Sequence, residues 1–121
     1  MTATPSRMRE LFAANDQRDP ARFSEHLCED VDFRFGNAAP LHGRQPVHEL
    51  VAGFFPVIGG IRHDLAEAWE FGDSAICRGE VTYARHDGRV LTVPFANVFK
   101  CRDGRILEYL IYVDNSALFA H

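Results

Sequence analysis

Between Ser74 and Asp114 apolar and polar residues alternate through three runs separated by two Asp-Gly pairs, SAICRGEVTYARHDGRVLTVPFANVFKCRDGRILEYLIYVD. A period of two marks a strand with one buried face, and Asp-Gly marks a tight hairpin, so this stretch predicts three consecutive antiparallel strands. Ile61 to Phe71, closed by Gly72-Asp73, predicts a fourth strand ahead of them. Upstream the period lengthens. Met8, Leu11 and Phe12 recur at helical spacing from Ser6 to Asn15, and Asp19 caps a short second helix with Pro20 at its first position and Phe23, Leu27 and Cys28 on one side. Val31, Phe33 and Phe35 alternate again and predict a strand ended by Gly36-Asn37 and Pro40; a loop runs to Gly43. Val47, Leu50, Val51, Phe54, Phe55 and Ile58 then fit a helix over 45–57, which Pro56 and Gly59-Gly60 close. Residues 115–121 read as a short tail.

Helices first, one strand, a helix and a four-strand antiparallel run describe an α+β domain with helices on the concave side of a curved sheet. The last strand carries Ile106, Leu110 and Tyr112 on one side and Leu107, Tyr109, Ile111 and Val113 on the other. Both of its faces are apolar. Helices cover only one of them, so the other predicts a partner: a homodimer through the outer sheet face.

Four polar residues in the three-strand stretch, Arg78, Glu80, Asn97 and Asp114, do not belong in a hydrophobic core. Alternation puts Arg78, Glu80 and Thr82 on one side and Cys77, Gly79, Val81 and Tyr83 on the other. A two-residue turn at Asp87-Gly88 pairs His86 with Arg89, and so sets Arg78 opposite Asn97 and Glu80 opposite Phe95; a four-residue loop gives the same face. At Asp103-Gly104 a two-residue turn and a bulged three-residue turn give opposite faces to the last strand. The first brings Glu108 and Asp114 to the face of Asn97, the second Tyr109, Ile111 and Val113. Two carboxylates make a poor wall for a helix-covered cavity, so we choose the bulged register, which removes Asp114 from the pocket. Pro94 removes a ladder donor from an internal strand and predicts a local bulge.

Composition narrows the classes of function. A chain of 121 residues, 46% of them hydrophobic, suits one globular domain spanning the whole length. A net charge of -4 with no basic run argues against nucleic acid, and no apolar run is long enough for a membrane helix. The opening MTATPSRMRE lacks the apolar core of a signal peptide, which points to the cytoplasm. Cys28, Cys77 and Cys101 are odd in number and widely spaced, which suggests neither disulfides nor a zinc site, and no His lies where it would activate one of them. His42, His48 and His86 form no metal set, and no Gly-rich phosphate loop follows a strand. We therefore expect chemistry without a cofactor.

The segments EDVDFRFG, HGR, LVAGFF, RGEVTYARHDGR, VPFANVFKCRDGRILEY and YVD together resemble the SnoaL-like polyketide-cyclase branch of the nuclear-transport-factor-two-like superfamily, which also holds limonene-epoxide hydrolase and ketosteroid isomerase. The resemblance covers nearly the whole chain. It implies a cone-shaped, cystatin-like α+β barrel with a deep apolar pocket, usually dimeric. Arg78 and Glu80 resemble the Arg-x-Asp pair of the epoxide hydrolases, with Glu for Asp. The second carboxylate of those enzymes falls at Ile111, and their water-positioning Tyr and Asn fall at Phe33 and Phe35. The isomerase's base also falls at Phe35, and its oxyanion-hole acid at Asn97.

Two readings of function follow. In one, a hydrolase, isomerase or cyclase acts on a compact hydrophobic substrate, with Glu80 as general base, Arg78 as its charge-stabilising partner, Asn97 as a donor to developing charge and His63 as a further proton-transfer candidate. Phe12, Phe33, Phe35, Phe54, Ile58, Thr82, Phe95, Tyr109, Ile111 and Val113 would line the ligand site. In the other, the same cavity only binds a hydrophobic ligand, or the domain is a dimeric scaffold with a filled core. The structural alternatives are a surface ion pair for Arg78 with Glu80, a hydrogen-bond anchor for Asn97 and a partly exposed structural residue for His63.

Overall fold

The computed structural model describes residues 6–119. The beginning of the segment on which the absence of a signal peptide was argued, and the last two residues of the tail, lie outside that range. The elements are α1 (Ser6–Asp16), α2 (Pro20–Glu25), β1 (Leu27–Phe35), β2 (Leu41–His42), α3 (Arg44–Phe54), β3 (Gly60–Phe71), β4 (Ser74–Ala84), β5 (Val90–Arg102) and β6 (Arg105–Val113), with 3-10 turns at Phe55–Val57 and Ser116–Phe119. Asp19 caps α2 by accepting the Arg22 amide at 3.1 Å, with Pro20 in the first turn, as its sequence predicts. Leu27 and Cys28 open β1 instead of extending α2, and both are buried. The two-residue β2 and the final 3-10 turn escape the periodicity because each is too short to show a period.

The sheet order is β2-β1-β6-β5-β4-β3. It is curved but unclosed, and it is mixed: β1 runs parallel to β6, with Phe33 beside Tyr109 and Phe35 beside Ile111. All other pairings are antiparallel. The three helices lie on the concave face, where Met8, Leu11, Phe12, Phe23, Val47 and Val51 meet the inward side chains of the strands.

Two bulges shape this face. One inserts Ala66 into β3 between the Leu65–Gly79 and Glu67–Arg78 pairs. The other falls in β6, where Cys101 pairs with Ile106 but Lys100 pairs with Glu108, leaving Leu107 as the extra residue. The Asp103-Gly104 turn is a two-residue loop, both residues at positive φ (52° and 79°), and the bulge lies just beyond it. Turn and bulge together bring Tyr109, Ile111 and Val113 to the face of Asn97 and leave Asp114 exposed, bonded to Ser116.

The first hairpin departs from expectation. Arg85 N–H donates to the Arg89 carbonyl at 2.8 Å, Gly88 N–H donates to the Arg85 carbonyl at 3.1 Å, and Gly88 has φ 88°. This is a three-residue loop, His86-Asp87-Gly88, with Gly in the left-handed position, not a two-residue turn. The register moves by one residue, so Cys77 pairs with Asn97, Arg78 with Ala96 and Glu80 with Pro94. A one-residue slip exchanges the faces of a strand. Arg78, Glu80 and Thr82 therefore lie on the outer face and Cys77, Val81 and Tyr83 on the inner one. No bulge forms at Pro94, since the β4–β5 register is continuous. The last β6 partner, Val113, sits opposite Phe95, so β5 is an edge on that side at Pro94, where proline is tolerated.

Candidate functional site

The inner face and the helices enclose a narrow cavity of about 30 Å³, room for one or two water molecules. Its walls include seven residues singled out in the sequence as ligand-contacting: Phe33 and Phe35 from β1, Phe54 from α3, Phe95 from β5, and Tyr109, Ile111 and Val113 from β6. Phe35, Phe54, Ile111 and Val113 are only partly buried and form the rim. Phe12 and Ile58 are buried in the core beside the cavity and do not line it: the Phe12 ring packs on His63 and Phe95 at centroid distances of 4.7 and 5.9 Å. Thr82 faces outward, where its hydroxyl meets that of Thr92 at 2.9 Å.

Arg78 and Glu80 are exposed on the convex side of the sheet. Arg78 pairs across the strands with Glu67, to which its Nε donates at 3.1 Å, and not with Glu80. Neither reaches the cavity, so Glu80 has no bound ligand to deprotonate. The hairpin register caused this miss, and the alternation in β4 carried the signal: Ala75, Cys77, Val81 and Tyr83 form the apolar set, and the polar set opposite them faces water.

The other two candidate polar residues do lie inside. His63 follows Ile61 on the inner side of β3 and lines the cavity with 9% of its side chain exposed. Its Nδ1 is 2.6 Å from Asp16 Oδ1, and its backbone N–H donates to Asp16 Oδ2 at 3.2 Å. Asp16, the last residue of α1, thus grips both ring and backbone. Sequence reasoning passed over Asp16 because 47 residues separate it from its partner and nothing local to α1 marks it. The Phe95 ring stands edge-on to the imidazole at 5.2 Å, so contacts on several sides fix the ring plane. With Nδ1–H committed to the carboxylate, the remaining nitrogen, Nε2, is the one with a free lone pair.

Asn97, 2% exposed, and Tyr109, fully buried, form the floor. Asn97 pairs with Ile111 and Phe99 with Tyr109, so Asn97 and Tyr109 are diagonal neighbours on one face. Asn97 Oδ1 and the Tyr109 hydroxyl are buried and have no hydrogen-bond partner among the described residues. Such orphans are rare, because each forfeits its hydration with nothing in exchange. Phe99, Phe33 and Phe23 surround Tyr109 at 4.7, 5.3 and 5.9 Å between ring centroids, and burial raises its phenol well above the usual 10.

Burial also pushes the Cys77 thiol, beside Asn97, from 9 up to about 12, and the Tyr83 phenol from 10 up to about 12. Both groups keep their protons in the folded chain at pH values where the unfolded chain has lost them. Stability therefore falls as pH rises, beginning near the unfolded thiol's 9 and continuing toward 12. Urea midpoints should drop between about pH 8 and about pH 10.5, and the drop should be shallower in Cys77→Ala. Equal slopes in the two proteins would remove the thiol from this account.

Among the described residues no group of three or more His, Cys, Asp or Glu side chains could hold a metal ion, and the three cysteines are free thiols. No helix among them is long and apolar enough to cross a membrane.

Comparison with solved structures places this fold among known relatives at low identity. A Catenulispora acidiphila protein with a ketosteroid isomerase-like fold, solved with trimethylamine, superposes with a TM-score of 0.87 at 18% identity, covering 98% of this chain and 92% of its own. TerC, co-crystallised with polyporic acid, gives 0.78 at 22% identity over 92% and 91%. An LEH-like epoxide hydrolase of M. tuberculosis gives 0.79 at 15% over 93% and 83%. No curated protein matches the sequence. At these identities the structural likeness establishes the fold, which serves cyclases, isomerases and epoxide hydrolases alike. The model of the SnoaL-like domain matches residues 8–109, and the chain belongs to that family.

Proposed function

We propose that this chain is a cofactor-independent enzyme of the hydrolase, isomerase or cyclase type, moving a proton on a compact hydrophobic ligand at His63. The observation that carries the reading is the His63–Asp16 pair at 2.6 Å, with the imidazole on the cavity wall. A base needs a free lone pair aimed at its substrate and a fixed ring, and Asp16 supplies the second by holding Nδ1. Asp16 then faces the ring with a negative charge when Nε2 takes up the proton. Asn97 and Tyr109 would hold the polar end of the ligand and the phenylalanines its apolar body.

A panel of apolar ketones and epoxides, followed for turnover and for exchange of acidic C–H protons, tests this. Activity should survive Glu80→Gln and fall by orders of magnitude in His63→Gln. Activity that depends on Glu80 and ignores His63 would reverse the assignment. The small cavity volume, room for one or two waters, favours a second reading, a scaffold with a filled core. In that case none of the panel is bound or converted.

The outer face supports a homodimer as part of the same proposal. Trp69, Phe71 and Tyr112 are exposed there, on a sheet surface that also carries Ile76, Val98 and Leu110. A patch of this kind on a small domain is normally covered. Light scattering should give twice the mass of the chain, and Tyr112→Glu should halve it. A monomeric wild type at tens of micromolar, on the order of ordinary dimer affinities, would end this part of the proposal.

A further inference from the structure

We infer that the cavity selects a neutral ligand bearing a hydroxyl group, which donates to Asn97 Oδ1 and accepts from the Tyr109 phenol. The inference rests on reading the cavity as a ligand site and names what that site takes. Two observations carry it. The first is the pair of buried orphans on the floor. An amide oxygen is only an acceptor, and a phenol whose proton is held tightly by burial is above all a donor. The groups are diagonal neighbours on one face of adjacent strands and both residues line the cavity, which puts the two orphans in one site. A hydroxyl is both donor and acceptor and satisfies the two together. A ketone oxygen answers only the phenol.

The second observation is the charge of the walls. Among the described residues that line the cavity there is no Lys, Arg, Asp or Glu, and the one titratable side chain besides the tyrosines is His63, whose Nδ1 is held by Asp16. A carboxylate or an ammonium entering here would lose its hydration with no counter-ion on the floor to replace it. The aromatic rim at Phe35 and Phe54, with ring centroids 5.7 Å apart, accepts a flat apolar body behind the hydroxyl.

Phenol, toluene, benzoate and benzylammonium share one ring and differ at the polar end, so they separate these terms. Affinities would be measured by calorimetry and NMR titration on the full chain, and on Phe54→Ala, which removes one rim ring and leaves more room. Phenol should bind at least about tenfold more tightly than toluene, the equivalent of one hydrogen bond made in a dry site. Benzoate and benzylammonium should bind more weakly than toluene. In Tyr109→Phe, a change that removes only the hydroxyl, phenol should lose most of its advantage while toluene binds as before; Asn97→Leu should do the same. Toluene binding as tightly as phenol, or benzoate binding best, overturns the hydroxyl assignment and leaves the cavity a ligand site. Binding of none of the four, in the wild type or in Phe54→Ala, removes the ligand site itself and the inference with it.

Discussion

Gly79→Ala is expected to cost at least about 3 kcal/mol or to prevent folding altogether. A Cβ at Gly79 would lie 2.0 Å from the Asp64 carbonyl oxygen and 2.9 Å from both Asp64 C and Leu65 Cα. All three are backbone atoms, so no side chain can swing aside. The close approach exists because Ala66 is inserted into β3 opposite this point, and the bulge presses the β3 backbone toward β4. Relieving the clash means undoing the bulge. That slips the outer half of β3 by one residue, sends Ala68 outward and brings Glu67 into the core. Gly53→Ala makes the control, since nothing lies within 4 Å of a Cβ there and the residue is in α3. It should stabilise by roughly 0.5–1 kcal/mol. Urea melts of the two variants give the comparison, and a Gly79→Ala midpoint near that of wild type would refute the account of the bulge.

His63→Gln should lower kcat on any substrate the panel identifies by roughly 10²–10⁴-fold, the usual contribution of a positioned proton-transfer group. Glutamine keeps polarity and approximate size but cannot cycle a proton at neutral pH. Asp16→Asn is the more informative partner. Its amide oxygen can still accept one of the two bonds that Asp16 now receives from His63, so the fold should persist while the charge facing the ring is gone. The expected result is a smaller loss of kcat, a changed pH–rate profile and a double mutant no worse than His63→Gln alone. Additive losses would mean that the residues act separately, and Asp16 would return to being a helix-end anchor for β3.

What could be read from the sequence followed a physical division. Periodicity over nine or more residues located α1, α3 and β3 to β6, and the Asp19-Pro20 pair located α2, because each signal is local and repeated. Turn geometry was the weak link. Asp-Gly fits two loop lengths that differ by one residue; at Asp103-Gly104 burial gave the right face but the wrong loop, since the turn has two residues and the extra one, Leu107, lies beyond it. At Asp87-Gly88 a three-residue loop forms in place of the two-residue turn, and the one-residue difference carries Arg78 and Glu80 to the opposite side of the sheet. The amphipathic pattern of β4, with Ala75, Cys77, Val81 and Tyr83 as its apolar set, places both in solvent. Asn97 was visible as a polar residue in an apolar strand. Asp16 was not, since only the fold brings the end of α1 to β3. The parallel β1–β6 pairing was hidden for the same reason: strand alternation carries no information about a neighbour 70 or more residues away.

That pairing also sets a schedule. On a ribosome β1 emerges early, yet its inner strand neighbour, β6, comes last, and only the two-residue β2 is available to it in between. Until β6 appears, the Phe33 ring has no Tyr109 to pack on and one long edge of β1 stays open to other chains. The cavity can therefore close only in the final step of assembly. Refolding should be governed by that long-range docking, which places this domain among the slower folders of its size.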